Sequence, residues 1–428
     1  MRVVIINKSD TKGGAAVVSF RLMEALRREG VDARMLVVEK LSDSPFVEKA
    51  AGSFSINFHF ILERLGIFIA NGFNKSTLFK IDTGATGLKL WKHPLVRNAD
   101  AVLLNWVNQG MLSLKGMGKI LSLGIPVIWT MHDMWCFTGI CHHSGECQRY
   151  EKECGQCPLL GSKGASHDLS FKVHRKKSRI YNLQRSSVAS PVFVAVSSWL
   201  AKRARESSLL SSRKVSVIPN PFHLDSIPQP RQPLHHDDTI RILFGAARLD
   251  DSIKGLDVLK EMSSVLMNKY PDIASRLEIV LFGAYKDPRA LDGFTLPVKY
   301  LGVLDSPSVK EAYAGAHILV SASSYETLPG TLVEAQAYGC IPVAFSRGGQ
   351  SDIVDHLSTG YLAGFADNKP EAASNLAEGI KWALSVMENP RAYEDIIKKM
   401  ARNVEEKFSY EFVASRYLSL IRNLQSDK

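Results

Sequence analysis

The most constraining stretch of this sequence is the ten-residue segment 325–334, YETLPGTLVE. An apolar run at 317–322 precedes it and is typical of a buried strand. A Pro-Gly pair then breaks the chain, and residues 331–338 predict a short helix. The pattern therefore places Glu326 in a loop at the carboxyl end of a strand and Glu334 about one turn into the next helix.

The start of that helix predicts an anion site. The backbone N–H groups from Gly330 through Thr331 to Leu332 have no partner within the helix and can bind a phosphate. In open parallel sheets, ligands bind at the carboxyl ends of the strands. Two carboxylates beside such a cradle suit a ligand that has both hydroxyls and phosphates, as a nucleotide sugar does. Taken alone, Glu326 and Glu334 could equally be solvated surface residues.

Seven residues, including the Pro-Gly pair, separate Glu326 from Glu334, and the next strand predicted is 341–345. This arrangement resembles the donor-binding site of the retaining glycosyltransferases of family 4. The resemblance implies an α/β fold of two Rossmann-like parallel-sheet domains facing a cleft, the GT-B fold. It also implies that Glu326 binds hydroxyls of the donor sugar and that Glu334 binds the ribose. It covers essentially the whole chain and is strongest over 241–364.

A second strand-to-helix loop in the same half carries two cations, Arg248 and Lys254, followed by Gly255. Two fixed cations can neutralise a diphosphate, arginine through its planar fork and lysine as a point charge. Each cation alone could be an ordinary surface charge. Their spacing resembles the diphosphate clamp of the same family, although Ala247 stands where a glycine is common.

The N-terminal half contains the same kind of strand–loop–helix unit. A strand at 3–6 leads to Gly13 and Gly14, where the backbone can approach a ligand closely. We therefore expect Gly13 and Gly14 to belong to the donor-binding site, with a simple tight turn as the alternative. His132 follows an apolar strand and resembles the acceptor-domain histidine that approaches the donor sugar in this family. A purely structural histidine is the alternative.

Clustered cysteines mark an insertion predicted at 136–160. In a reducing compartment, four of them predict a structural tetrahedral zinc site: Cys141, Cys147, Cys154 and Cys157. His142 and His143 are substitute ligands, and unligated thiols or a redox-labile pair are the alternatives. A closed four-ligand site has no open position for catalysis. Since the chain also lacks an Asp-x-Asp pair, we expect no cofactor to be required for catalysis.

The formal net charge of +10 over 428 residues favours anionic partners. No apolar run approaches the ~20 residues of a spanning helix, and the N-terminus does not resemble a signal peptide. These features predict a cytoplasmic protein. An apolar, aromatic stretch at 56–69 predicts a helix packed on its domain, or alternatively an interfacial helix at the inner face of the cytoplasmic membrane. A basic run at 171–179 predicts a solvated helix face, or alternatively a contact with acceptor phosphates or a membrane.

Composition and periodicity predict an N-terminal domain at 1–222, a proline-rich linker at 223–238 and a second domain at 239–408. The resemblance implies that a terminal helix at 409–428 packs back on the first domain.

The resemblance implies transfer of a sugar from a nucleoside-diphosphate sugar to a hydroxyl of a saccharide or lipid-linked oligosaccharide. The anomeric configuration would be retained, in the synthesis of a bacterial exopolysaccharide, capsule or lipopolysaccharide. A nucleotide-sugar epimerase or hydrolase of the same fold is the first alternative. A zinc-containing nucleic-acid-binding protein is the second, and it would bind DNA or RNA in a salt-dependent way. Because it leaves the paired-domain pattern unexplained, we expect no nucleic-acid partner.

Overall fold

The computed structural model describes residues 1–182, 190–224 and 238–426. The chain divides into two compact units. The first comprises Met1–Pro221 together with Tyr410–Lys428, and the second comprises Phe222–Ser409. Most of the linker predicted at 223–238 lies outside the described residues.

Strands and helices alternate along both units, as expected for α/β domains. The strands are β1 (Arg2–Ser9), β2 (Asp32–Glu39), β3 (Val47–Lys49), β4 (Ala101–Leu104), β5 (Val127–Met131), β6 (Val192–Ala195), β7 (Val215–Val217), β8 (Ile240–Arg248), β9 (Leu277–Ala284), β10 (Val298–Tyr300), β11 (Ile318–Ser321), β12 (Ile341–Phe345) and β13 (Tyr361–Ala363). The helices are α1 (Gly14–Arg28), α2 (Ser53–Ala70), α3 (Pro94–Arg97), α4 (Leu114–Leu121), α5 (Leu169–Tyr181), α6 (Ser198–Glu206), α7 (Leu256–Lys269), α8 (Pro271–Ala274), α9 (Ser306–Gly315), α10 (Gly330–Ala337), α11 (Lys369–Met387), α12 (Pro390–Phe408) and α13 (Tyr410–Ser426).

The first unit is built on a parallel sheet with the strand order β3-β2-β1-β4-β5-β6-β7. Its central strands are buried on both faces, which explains why residues such as Val3 to Ile6 form an unbroken apolar run. The chain runs outward in opposite directions from β1 and β4. Ligands of open α/β sheets bind outside the carboxyl ends of the strands at such a switch point.

The second unit is built on a parallel sheet with the order β10-β9-β8-β11-β12-β13. Its switch point lies between β8 and β11, so the loops that follow these two strands are the expected ligand position. The two parallel sheets confirm the predicted α/β fold class.

The last helix, α13, completes the core of the first unit. Its residues Val413, Tyr417 and Ile421 are buried together with Leu22 and Leu26 of α1. The hydroxyl of Tyr417 also forms a 2.8 Å hydrogen bond with that of Thr130 on β5. The first unit is therefore made from both ends of the chain.

Candidate functional site

The loops at the switch point of the second unit bring together a lysine and a glutamate that lie 72 positions apart. Lys254 Nζ, from the loop after β8, forms an ion pair with Glu326 Oε1, from the loop after β11. Ser323 Oγ donates to the same carboxylate oxygen at 3.1 Å. Both charged side chains are partly exposed, so a ligand can reach them and take the place of either partner.

Arg248 is the last residue of β8 and lies on the same edge of the sheet. Its Nε and one terminal nitrogen donate to Asp250 Oδ1 at 3.1 and 3.0 Å. The other oxygen of Asp250 accepts from the backbone N–H of Lys286 at 2.9 Å. Asp250 is therefore a residue that the sequence analysis missed, and it fixes the orientation of the guanidinium.

Helix α10 presents its N-terminus at the same edge. No side chain caps its first turn, and the space beside Gly330 is open. The N–H of Leu332 already donates to the carbonyl of Pro329 at 3.1 Å. The anion cradle predicted from Gly330 to Leu332 is thus reduced to Gly330 and Thr331. Glu334 lies in the second turn of this helix and is partly buried.

Two glycines allow the loops of this edge to pack closely. Gly255 has φ +75°, and a Cβ there would lie 2.1 Å from the carbonyl oxygen of Ala322 at the end of β11. Gly348 has φ +73°, and its Cβ would lie 2.4 Å from the carbonyl oxygen of Glu326. These contacts determine how near Lys254 comes to Glu326.

Replacing Gly255 by alanine should cost at least about 2 kcal/mol of the free energy of unfolding, because strain and a backbone clash act together. Gly293→Ala is the matched control, since Gly293 has φ +87° but a Cβ there meets nothing within 4 Å. Urea denaturation of both variants measures the difference. Equal losses would show that the close approach to Ala322 contributes nothing.

The glycine loop of the first unit borders a cavity of about 360 Å³ at that unit's switch point. Gly13 has φ +94°, and α1 begins at Gly14 without a side-chain cap. Lys8, Trp106 and Gln109 also line the cavity, and sequence reasoning had not assigned them a role in the site. Lys8 Nζ donates to the carbonyl of Gln109 at 3.4 Å, and burial lowers the pKa of this lysine.

His132 directly follows β5 at the carboxyl edge of the same sheet. Its Nε2 lies 2.7 Å from Asn105 Oδ1, the residue that directly follows β4. Burial lowers the pKa of His132 to about 4, so the ring is neutral at pH 7. Because the amide oxygen can only accept, Nε2 is the donor in this contact and carries the proton. The position of Asn105 after a buried strand is the signal that could have identified it from sequence.

A buried charge network lies behind His132. His142 Nδ1 lies 2.6 Å from Asp133 Oδ2, and His142 Nε2 lies 2.8 Å from Asp82 Oδ2. Asp82 also pairs with Arg64, and Asp133 accepts from Trp106 Nε1 at 2.9 Å. Burial alone would lower the pKa of His142, but the two carboxylates raise it to about 10. His142 is therefore protonated and bridges the carboxylates of Asp82 and Asp133. Its suggested role as a substitute zinc ligand is wrong, because both ring nitrogens already form hydrogen bonds with these carboxylates.

The predicted zinc ligands Cys141, Cys147, Cys154 and Cys157 lie close enough together to affect one another's ionisation. Burial raises the pKa of Cys141 and of Cys154 to about 12. Among the described residues, no group of three or more His, Cys, Asp or Glu side chains is arranged to hold a metal ion. Zinc binding at these four cysteines therefore stays a prediction.

Two Rossmann-like parallel-sheet units, each with candidate ligand-binding loops at its switch point, are the architecture of GT-B glycosyltransferases. A family model described as Glycosyltransferase Family 4 matches residues 12–226, and one described as Glycosyl transferases group 1 matches residues 240–385. The chain therefore belongs to glycosyltransferase family 4, and the predicted resemblance is confirmed.

One curated relative is granule-bound starch synthase 1 of Pisum sativum, which is 28% identical over 200 residues. These residues are 44% of this chain and 31% of the relative. The chain thus spans roughly a third of the length of the first curated relatives that it matches.

Solved structures match the chain over nearly its whole length. HepE of Anabaena in complex with UDP superposes with a TM-score of 0.59 at 14% identity, covering 99% of this chain and 100% of that one. WaaG, a glycosyltransferase involved in lipopolysaccharide biosynthesis, gives 0.58 at 12% identity and covers 98% and 99%. At such low identity the likeness shows the fold alone, and it confirms the predicted GT-B class.

Proposed function

We propose that this glycosyltransferase moves a sugar from a nucleoside-diphosphate sugar to a hydroxyl of a saccharide or lipid-linked oligosaccharide, with retention of the anomeric configuration. The observation that carries the proposal is the Lys254–Glu326 pair at the switch point of the second unit. The uncapped N-terminus of α10 lies at the same edge. The complex of HepE with UDP supports a uridine nucleotide as the first donor to test.

The second unit would bind the donor. Lys254 and the Arg248 guanidinium contact the diphosphate, and the N–H groups of Gly330 and Thr331 add dipoles that favour negative charge. Lys254 leaves part of its contact with Glu326 when the phosphate arrives, which releases the Glu326 carboxylate for hydroxyls of the sugar. Glu334 accepts hydrogen bonds from the ribose hydroxyls.

These contacts matter most while the bond to the leaving group breaks. The bond between C1 of the sugar and the diphosphate oxygen lengthens, and negative charge accumulates on the diphosphate. Fixed cations aimed at that charge stabilise the transition state more than the bound donor. The acceptor oxygen then bonds to C1 on the same face, and its proton passes to the leaving diphosphate. This step uses no residue of the chain as a nucleophile and no metal.

The first unit contributes a neutral imidazole and a second crevice. His132, which is neutral at pH 7 and hydrogen-bonded to Asn105, would bind a sugar hydroxyl. The crevice beside Gly13 and Gly14 offers further backbone N–H groups together with the Lys8 ammonium.

We expect a nucleoside diphosphate to raise the melting temperature of the protein, because a ligand that binds only the folded state stabilises it by mass action. Thermal shift with UDP-, GDP- and ADP-sugars identifies the base and sugar. The selected donor, mixed with short saccharides, should then give a product whose anomeric linkage is read by NMR. Lys254→Ala should show a smaller shift than Lys269→Ala, which replaces a lysine on the exposed face of α7.

Three results would contradict the proposal. If no nucleotide sugar shifts the melting temperature, the donor site is wrong. Rapid consumption of donor without an acceptor would indicate a hydrolase or an epimerase instead. A product of inverted configuration would refute retention while leaving the donor site intact.

A further inference from the structure

Helix α2 has its apolar stripe on the outside. Its large exposed apolar side chains recur at intervals of three or four residues, which places them on one face of the helix. They are Phe54, Phe58, Ile61, Leu62, Leu65 and Ile69, between 44% and 86% exposed. A helix packed on a soluble domain is expected to bury such a stripe. In α2 the apolar face is turned to the solvent instead.

The inward face of α2 is charged and anchored. Glu63 Oε1 accepts from the backbone N–H of Thr83 at 2.8 Å, from its hydroxyl at 2.7 Å and from the N–H of Gly84 at 3.0 Å. Arg64 pairs with the buried Asp82. By length and composition α2 could cross a membrane, contrary to the sequence-based expectation of no such segment. Because these buried contacts hold one side of the helix to the domain, its other side can meet a bilayer only in the plane of the surface.

The exposed charges around α2 are predominantly positive. Between positions 48 and 98 the acidic residues are Glu63 and Asp82, which are buried, and Glu48, which is exposed and pairs with His93 at 3.3 Å. The exposed cations of the same segment are Lys49, Lys75, Lys80, Lys89, Lys92 and Arg97. An exposed surface that is both apolar and cationic is complementary to an anionic lipid leaflet.

Several of these cations lie beside the helix. Lys49 Nζ donates to the hydroxyl of Ser53 at 3.0 Å, at the start of α2. Lys89 and Lys92 line a cavity of about 530 Å³ together with His59 of α2. Close to the other end, Lys163 Cγ would lie 3.7 Å from a Cβ on Gly72. Positive charge therefore flanks the stripe at both ends and along one side, where lipid phosphates meet an interfacial helix.

We infer that the outer face of α2 docks on an anionic lipid bilayer, with the helix lying flat in the interface. A second copy of the chain is the competing occupant of this face. A two-fold contact would place the same patch of each copy against the other and so bring its lysines together. Like charges across an interface oppose association, whereas anionic lipid attracts them. The inference does not depend on the proposed function, since it needs neither donor nor acceptor.

Co-sedimentation with vesicles tests the inference. The full chain should bind vesicles of phosphatidylglycerol and phosphatidylcholine, bind pure phosphatidylcholine much more weakly, and dissociate as salt is raised. Phe58→Glu/Ile61→Glu should weaken binding at least tenfold, because it puts two carboxylates on the stripe. Lys89→Ala/Lys92→Ala should weaken it about fivefold for each lysine removed, as expected for cations beside an anionic surface.

Met267→Glu is the matched control, an exposed apolar residue on α7 of the other unit, and it should bind vesicles like the unaltered chain. Thermal unfolding checks that each variant is folded. If the double glutamate variant does not fold, the variant with two lysines replaced still tests the inference. Equal binding of anionic and neutral vesicles, or no binding to either, would overturn it. A dimer without lipid that Phe58→Glu/Ile61→Glu dissociates would identify the second copy as the occupant instead.

Discussion

The Lys254→Ala variant should transfer sugar about 10² to 10³ times more slowly than the unaltered enzyme. Losses of this size follow when one preorganised group that stabilises developing negative charge is removed. We expect kcat to fall more than KM rises, since the lysine contributes most while the diphosphate leaves. Steady-state kinetics with the identified donor measures both parameters.

Lys269→Ala is the control for the loss of a lysine. Lys269 is exposed, and its ammonium donates to the hydroxyl of Ser374 at 3.1 Å. The fold should survive Lys254→Ala, since a partly exposed ion pair contributes at most about 1 kcal/mol to stability. A variant that keeps its turnover would remove Lys254 from the diphosphate site. The melting temperature of Lys254→Ala is measured first, because an unfolded variant says nothing about the role of Lys254. If that variant unfolds, Lys254→Gln replaces it in the kinetic experiment.

The Asp82→Asn variant should lose about 3–5 kcal/mol of the free energy of unfolding, which is the usual cost of removing one partner of a buried charge network. Asp82 is 1% exposed and faces both Arg64 and His142. Without its negative charge, the two buried cations Arg64 and His142 remain close together, with one carboxylate fewer to offset them. Urea denaturation followed by circular dichroism measures the loss.

Asp43→Asn is the matched control, because Asp43 is an exposed carboxylate of the same unit and its neutralisation should change stability by less than about 0.5 kcal/mol. If Asp82→Asn were as stable as this control, the network would not anchor α2 or the loop that carries Asp133. A restoration of stability by the further change Arg64→Met would support the explanation by unpaired charge.

The features of the fold and site that could be predicted from sequence are determined by residues that lie close together along the chain. The apolar run before Glu326 and the glycine after Lys254 identify strand ends and turns within a few positions. Parallel sheets then bring all such loops to one edge, so Lys254 and Glu326 could be predicted to be near each other. Their direct ion pair could not be predicted, because it depends on the close approach of Gly255 to the end of β11.

The parts that could not be predicted depend on contacts between distant positions. Asp82 and His142 lie 60 positions apart, and nothing local distinguishes His142 from a metal ligand beside cysteines. Composition showed that α2 is apolar but not which face it buries, since that depends on the partners of Glu63 and Arg64. Lys177 belongs to a run predicted to be solvated, yet it is buried and donates to the carbonyls of Thr138 and Gly139 at 3.1 Å.

The position of α13 in the core of the first unit has a consequence for synthesis on the ribosome. The second unit has all its residues once Ser409 has been translated, whereas the first unit waits for residues 410–428 after its main part has ended at Pro221. At about 5–20 residues per second, that interval is on the order of 10–40 s. During it, the places that Val413, Tyr417 and Ile421 will fill are open to water. The nascent first unit is therefore the part of the chain that we expect molecular chaperones to bind.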